Sequence, residues 1–140
     1  MVIPAWVNLA DLYRVQGNDE EGERVLREAL EHTTEAESEA SVRHALGLLQ
    51  VRQKNIAASL DELRKAAELA PDNARFSYIY AVALNSVGES DLAAQVLDAA
   101  IKRNPWDRDL LQFGASLNQQ LGNMQQAVKY AKKLEMWNQE

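Results

Sequence analysis

Residues 74–107 read ARFSYIYAVALNSVGESDLAAQVLDAAIKRNPWD. Apolar residues recur at helical spacing on either side of Gly88, and Pro105 closes the stretch, so it reads as two amphipathic helices joined by a tight turn. Small residues fall where the helices would cross: Ala81 on the first, Ala93 and Ala100 on the second. A helix pair this short cannot bury its apolar face alone. Moving the pattern by 34 residues finds it again, with Gly88 recurring as Gly122 and Ala93 as Ala127. In the other direction Pro105, Ala100 and Leu97 recur as Pro71, Ala66 and Leu63. The chain is a stack of copies, each of which covers its neighbour.

Four copies share this register. The first carries Trp6, Leu9, Ala10, Tyr13, Gly17, Gly22, Leu26 and Ala29. The second has Leu46, Gly47, Ser59, Leu63, Ala66 and Pro71, with Lys54 at the turn-glycine position. The third has Tyr80, Ala81, Leu84, Gly88, Ala93, Leu97, Ala100 and Pro105. The fourth is the most degraded: Leu111, Ala115, Gly122, Ala127, Ala131 and Leu134, with Gln139 in place of the proline. The pattern resembles the tetratricopeptide repeat, a 34-residue helix-turn-helix. That resemblance implies an all-α fold, a right-handed α-α superhelix of four hairpins and about eight helices. Residues 1–140 then form a single domain with repeats at about 3–36, 40–73, 74–107 and 108–140.

The step from Gly17 to Lys54 is 37 residues, three more than the period, which places an insertion between the first two repeats. Thr34 and Glu37 fit a capping box, so the second repeat's first helix is expected to start early and run long, to about residue 53. Helices are expected at about 5–16, 19–32, 56–69, 107–121 and 124–137. Pro4 suits a helix start, Asp72 or Asn73 caps the helix that follows, and Asn55 is expected to take the left-handed turn conformation. Trp106, in an inter-repeat loop, is expected to fold onto neighbouring helix ends.

Composition narrows the function. Hydrophobic residues make up 46% and charged residues 26%, an ordinary globular balance. Acids outnumber bases 21 to 15 for a net charge of -6, which argues against nucleic acid as a partner. The absence of cysteine removes disulfides, thiolate metal sites and cysteine nucleophiles, and leaves the compartment open. The first residues lack the basic and apolar segments of a signal peptide, and nothing approaches a membrane span. Met1, five residues before Trp6, suggests a piece of a larger protein, cytoplasmic, or periplasmic if the parent is exported.

Catalytic and metal sites find no support. His32 and His44 fall on different expected helices and read as surface or groove residues, and no cofactor is expected. Asp61 and Glu62 are adjacent and face different ways round a helix, so they cannot act as a carboxylate pair. The turn glycines are explained by the repeat and not by phosphate binding.

The resemblance implies instead a non-catalytic module that binds a peptide or partner helix along the first helix of each repeat. The family's groove positions fall here on Val7, Asp11, Arg14 and Val15; on Ser41, His44, Leu48, Val51 and Arg52; on Arg75, Tyr78, Val82, Asn85 and Ser86; and on Asp109, Gln112, Ser116, Gln119 and Gln120. Leu48, Val51, Tyr78 and Val82 offer apolar contact beside His44, Arg52 and Arg75, suiting a hydrophobic anchor with a nearby acid. Val7 and Asp11, an apolar residue and an acid, occupy the first two positions of the Lys, Asn and Arg clamp of the chaperone-tail-binding subset, so that activity is not implied. Only Asn8 follows the asparagine ladder of another subset; Ala45, Ile79 and Phe113 do not.

No polar helix follows residue 137, so Val128, Tyr130, Met136 and Trp137 are expected to expose apolar surface. That supports an alternative role as a spacer or oligomerisation unit, including a homodimer through the last helix. The phrases PAWVNLADLYRVQG and AELAPDNARFSYIYAVALNSVG also resemble the repeat tails of bacterial multihaem c-type cytochrome-like proteins, which would imply a docking tail in the periplasm.

Overall fold

In the computed structural model, which describes residues 2–137, eight α-helices follow one another: α1 (Ile3–Val15), α2 (Asp19–Glu31), α3 (Ala36–Arg52), α4 (Ile56–Leu69), α5 (Ala74–Ser86), α6 (Ser90–Arg103), α7 (Arg108–Gln120) and α8 (Met124–Trp137). No strand occurs among the described residues. Gln139 and the rest of 138–140 lie outside them. The all-α architecture of paired helices is the one expected. Two compact units divide the chain, Met1–Ala70 and Pro71–Glu140.

One turn, used four times, makes each helix pair. Gly17, Gly88 and Gly122 have φ of +78°, +86° and +81°, in the left-handed region where a Cβ is costly. After each, an N–H reaches back to the carbonyl five residues earlier: Asn18 to Tyr13 at 2.8 Å, Glu89 to Leu84 at 3.0 Å, Asn123 to Asn118 at 2.8 Å. This satisfies carbonyls that the ending helix leaves open. The second turn closes the same way, Asn55 to Gln50 at 2.9 Å, but there Lys54 holds φ at +62°. Asn55 has φ of -91°, so the expectation that it would be the left-handed residue is corrected. The repeat register fixes which residue must turn, and Asn55 stands one place too late.

Helix starts follow from short polar side chains. Asn73 accepts from the Phe76 N–H at 3.1 Å and Asp107 from the Leu110 N–H at 3.0 Å, each meeting a donor the helix cannot. Asn18 serves α2, whose first turn also places Asp19, Glu20 and Glu21 at the positive end of the dipole. The capping box at Thr34 and Glu37 does not form: the cap of α3 is Glu35, with no side-chain bond. Thr33 instead donates its hydroxyl to the Leu30 carbonyl, finishing the preceding turn. As expected, α3 starts early and is long, 17 residues against 13 in α1, α5 and α7.

In the first unit Ala10 of α1, Val25, Leu26 and Ala29 of α2 and Val42, Ala45, Leu46 and Leu49 of α3 form one core, with Trp6 and Tyr13 packed against it. Leu63 and Ala66 of α4 are fully buried. The second unit buries Ala81 and Leu84 of α5, Ala93, Leu97 and Ala100 of α6, Leu110, Leu111 and Leu117 of α7, and Ala127 and Tyr130 of α8. Within each unit the second helix of a pair packs on the first helix of the next, α2 on α3 and α6 on α7, and first helices touch, α1 with α3 and α5 with α7.

Candidate functional site: the faces of the first helices

The groove positions divide between the two units. In the first, α1 carries Val7, Asp11 and Arg14 and α3 carries Ser41, Leu48, Val51 and Arg52. A shallow cleft of about 350 Å³ lies between these helices, lined by Ile3, Pro4, Val7 and Asn8 on one side and Glu37, Ser38 and Ser41 on the other. Asp11 and Arg14 approach each other at 3.8 Å, while Arg52 reaches across to Asp19 of α2 at 3.1 Å. The charges of this face are therefore largely spent on one another, as exposed pairs of small net stabilisation. Val51 is exposed and Leu48 half-buried.

His44 does not belong to this surface as expected. It is 9% exposed, because α3 packs against α1, α2 and α4 together and leaves few open faces. Position in the period identified its face, but the number of neighbouring helices decided its burial.

In the second unit α5 presents Arg75, Tyr78 and Val82, and α7 presents Gln112, Ser116 and Gln119. The half-buried Tyr78 ring meets Phe113 of α7 edge to face, with centroids 5.8 Å apart and planes at 68°. Val82 and Arg75 are exposed on the same helix, and so are Asp109, Gln112, Ser116, Gln119 and Gln120 on α7. Asn85 is committed elsewhere: its Oδ1 accepts from the Ser90 hydroxyl at 2.8 Å, tying the end of α5 to the start of α6. Ser86 donates to the Ala83 carbonyl. What this face offers is an aromatic pair, an exposed β-branched side chain and one guanidinium, without a cluster of titratable groups.

Of the four residues expected to expose apolar surface at the C-terminal helix, Val128, Met136 and Trp137 do so. Tyr130 does not: it is buried against the Gly114 backbone of α7, and its hydroxyl donates to Asp98 of α6 at 2.7 Å. Burial first, then this hydrogen bond, push the phenol pKa above its ordinary value. Trp137 donates its indole N–H to the Trp106 carbonyl at 3.1 Å, and Lys133 lies 5.3 Å from the Trp106 ring centroid, so Trp106 meets the end of α8.

Sequence reasoning missed two polar groups. Arg43 donates to Glu39 at 2.7 Å and to Glu62 at 3.0 Å; burial alone would disfavour its charge, but the two carboxylates outweigh that and raise its pKa. Asn118, fully buried, donates to Asp98 and to the Gly114 carbonyl and accepts from Asn123. The two adjacent acids of α4 go separate ways, Glu62 to Arg43, and Asp61 to Lys65 and Arg64, which hold its pKa below the usual range. Among the described residues no three His, Asp or Glu side chains gather as a metal site, and no helix is long and apolar enough to cross a membrane.

A tetratricopeptide-repeat family profile matches residues 2–72, and a second profile of the same description matches residues 44–108. The chain belongs to the tetratricopeptide-repeat family. Members of this family are in general protein-interaction modules. Among solved structures, MamA superposes with a TM-score of 0.75 at 23% identity, covering 96% of this chain and 77% of that one. Another MamA structure gives 0.71 at 24% identity, over 94% of this chain and 70% of that one. YrrB, described as a TPR protein with an unusual peptide-binding site, gives 0.68 at 18% identity, over 95% and 67%. At these identities the likeness speaks for the fold. No curated protein matches. The resemblance to cytochrome-like tails receives no support from these matches.

Proposed function

We propose that this tetratricopeptide-repeat chain is a non-catalytic module that binds an extended peptide or partner helix on the exposed faces of its first helices. The observation that carries the reading is the α5–α7 face. Tyr78, propped by Phe113, offers a rigid aromatic contact beside exposed Val82 and Arg75. An aromatic anchor point with a neighbouring guanidinium fits a ligand bearing an apolar side chain and a nearby carboxylate. The face of α1 and α3 that carries Val7, Leu48 and Val51 is the corresponding one of the first unit. The peptide-binding site ascribed to YrrB favours the same class of ligand. This reading takes residues 3–36, 40–73, 74–107 and 108–140 as four repeats of one domain.

The test is fluorescence anisotropy of the full chain against a panel of labelled peptides in which a Leu or Phe stands within a few residues of a Glu. Tyr78→Ala combined with Arg75→Glu should weaken the best peptide at least tenfold, as loss of an anchor of about 1.4 kcal/mol or more requires. Equal binding by that double variant would overturn the assignment of this face.

A second reading, self-association through the outer face of α8, is favoured by the exposure of Met124, Val128, Met136 and Trp137 on one terminal helix. It calls for no peptide ligand and predicts a mass that depends on concentration.

A further inference from the structure

The open face of α8 has a counterpart at the other end of the chain. Within the units, α3 and α7 are covered by the helices before them, and the covered residues vanish from solvent: Val42, Leu46 and Leu49 on α3, Leu110 and Leu117 on α7. The same repeat positions on α1 are Ala5, Leu9 and Leu12, equally apolar, yet Leu9 is 42% and Leu12 62% exposed. They form one stripe of α1 whose sequence is that of a covered helix and which is open to solvent in this structure.

The covering helices use a matching face. On α6 it is Ala94, Leu97 and Ile101, all buried. The repeat register gives Val128, Ala131 and Glu135 at these positions of α8, with Met124 one turn earlier, and all four are exposed. The ends of the junction also agree. Where α2 meets α3, Asp19 at the start of one helix pairs with Arg52 at the end of the other at 3.1 Å. The equivalent residues at the two open faces are Met124 and Val15, 53% and 75% exposed, so the ion pair of the α2–α3 junction is replaced there by an apolar pair. Charge points the same way: α8 carries Lys129, Lys132 and Lys133 against Glu135, whereas α2, beside the accepting helix, carries six acids against Arg24 and Arg27.

We infer that copies of this chain assemble head to tail, the Met124–Val128–Ala131 face of α8 in one copy docking on the Leu9–Leu12–Val15 face of α1 in the next. The inference rests on the self-association reading above and names its acceptor. Such a contact is heterologous: each copy donates one face and accepts on another, so growth stops at two copies only if something blocks an end.

Sedimentation of the full chain over a range of concentrations tests it, with Leu12→Glu and Val128→Glu as variants. Both side chains are exposed, so each variant should melt as the parent does. The parent should show a mass that climbs past the dimer, each variant alone should remain monomeric, and an equimolar mixture of the two should stop at the dimer, since only one intact junction can form. A Leu12→Glu variant that still dimerises while Val128→Glu does not would replace this contact with a symmetric α8 pair, leaving self-association standing. A monomeric parent at every concentration would sink both.

Discussion

The two units solve the same packing problem in different registers. In the first, Gly47 of α3 sits against Leu63 of α4: a Cβ on Gly47 would lie 2.7 Å from Leu63 Cγ and 3.4 Å from its backbone nitrogen. In the second, the close approach has moved back one residue along the helix in the repeat register, to Gly114 of α7. There a Cβ would meet Ile101 Cδ1 at 2.9 Å and the Tyr130 ring at 3.0 Å. The large partner moved too, from Leu63 to a tyrosine one repeat position earlier. What is retained is a small residue facing a large one; which position carries it is free to drift. That drift helps to make the fourth repeat look degraded when read position by position, although Leu110, Leu111, Leu117, Ala127 and Tyr130 are buried there.

The largest effect should separate these two crossings. At Gly47 the clash falls near the base of Leu63 and beside its backbone, where nothing can swing away, whereas at Gly114 it falls on the tip of Ile101 and the edge of a ring. Gly47→Ala should therefore cost about 2 kcal/mol net, overpacking outweighing the gain in helix propensity, and Gly114→Ala about 1 kcal/mol or less. Chemical denaturation of the two single variants checks the order. Leu63→Ala should cost about 3 kcal/mol in the parent and clearly less on the Gly47→Ala background, because the new methyl occupies part of the cavity. Equal costs on both backgrounds would show that the two residues do not share that space.

A smaller effect separates the turns. Lys54 holds φ at +62° where the other three turns have glycine, a conformation that costs an L-residue roughly 1–2 kcal/mol. Lys54→Gly should stabilise the chain by about 0.5–1 kcal/mol, after the greater freedom of glycine in the unfolded state is subtracted. Gly88→Val should destabilise it by about 1–2 kcal/mol through backbone strain alone, because no atom lies within 4 Å of where the Cβ would stand. Thermal melts of both variants read this directly. A Lys54→Gly variant that melts below the parent would mean that the lysine side chain contributes more than its backbone costs.

The period made the helix pairs, the turn positions and most core residues legible, since each depends on residues a few places apart. Gly17, Gly88 and Gly122 could be named as turns because the requirement for positive φ is local. The residues whose places the period does not give depend on partners far away in sequence. Tyr130 reads as an outward residue until Gly114 gives its ring a place and Asp98, 32 positions earlier, gives one to its hydroxyl. Arg43 stands where the first repeat has Trp6, and only Glu62, 19 residues on, explains a guanidinium there. The groove face was legible as a face but not in detail: its period could not reveal that His44 is buried, that Asn85 is held by Ser90, or that Phe113 supports Tyr78.

The last effect concerns the polar seam around Asp98 in the second unit. Tyr130 and Asn118 converge on Asp98, so the carboxylate accepts from a hydroxyl at 2.7 Å and an amide at 3.3 Å. Tyr130→Phe keeps the ring against Gly114 and removes one of these donors, for an expected loss of about 1 kcal/mol near neutral pH. The pH dependence is the sharper readout. Because the folded phenol titrates above its unfolded value of about 10, the unfolded state gives up its proton first as pH rises. The contribution of Tyr130 is therefore complete below pH 10 and declines above it, through the folded pKa. Melts between pH 9 and 11 should show the parent losing stability and Tyr130→Phe losing less, so that the two curves converge toward the alkaline end. Parallel curves would mean that the Tyr130 phenol titrates alike in both states, and that the seam holds the fourth repeat by shape without help from its hydrogen bond.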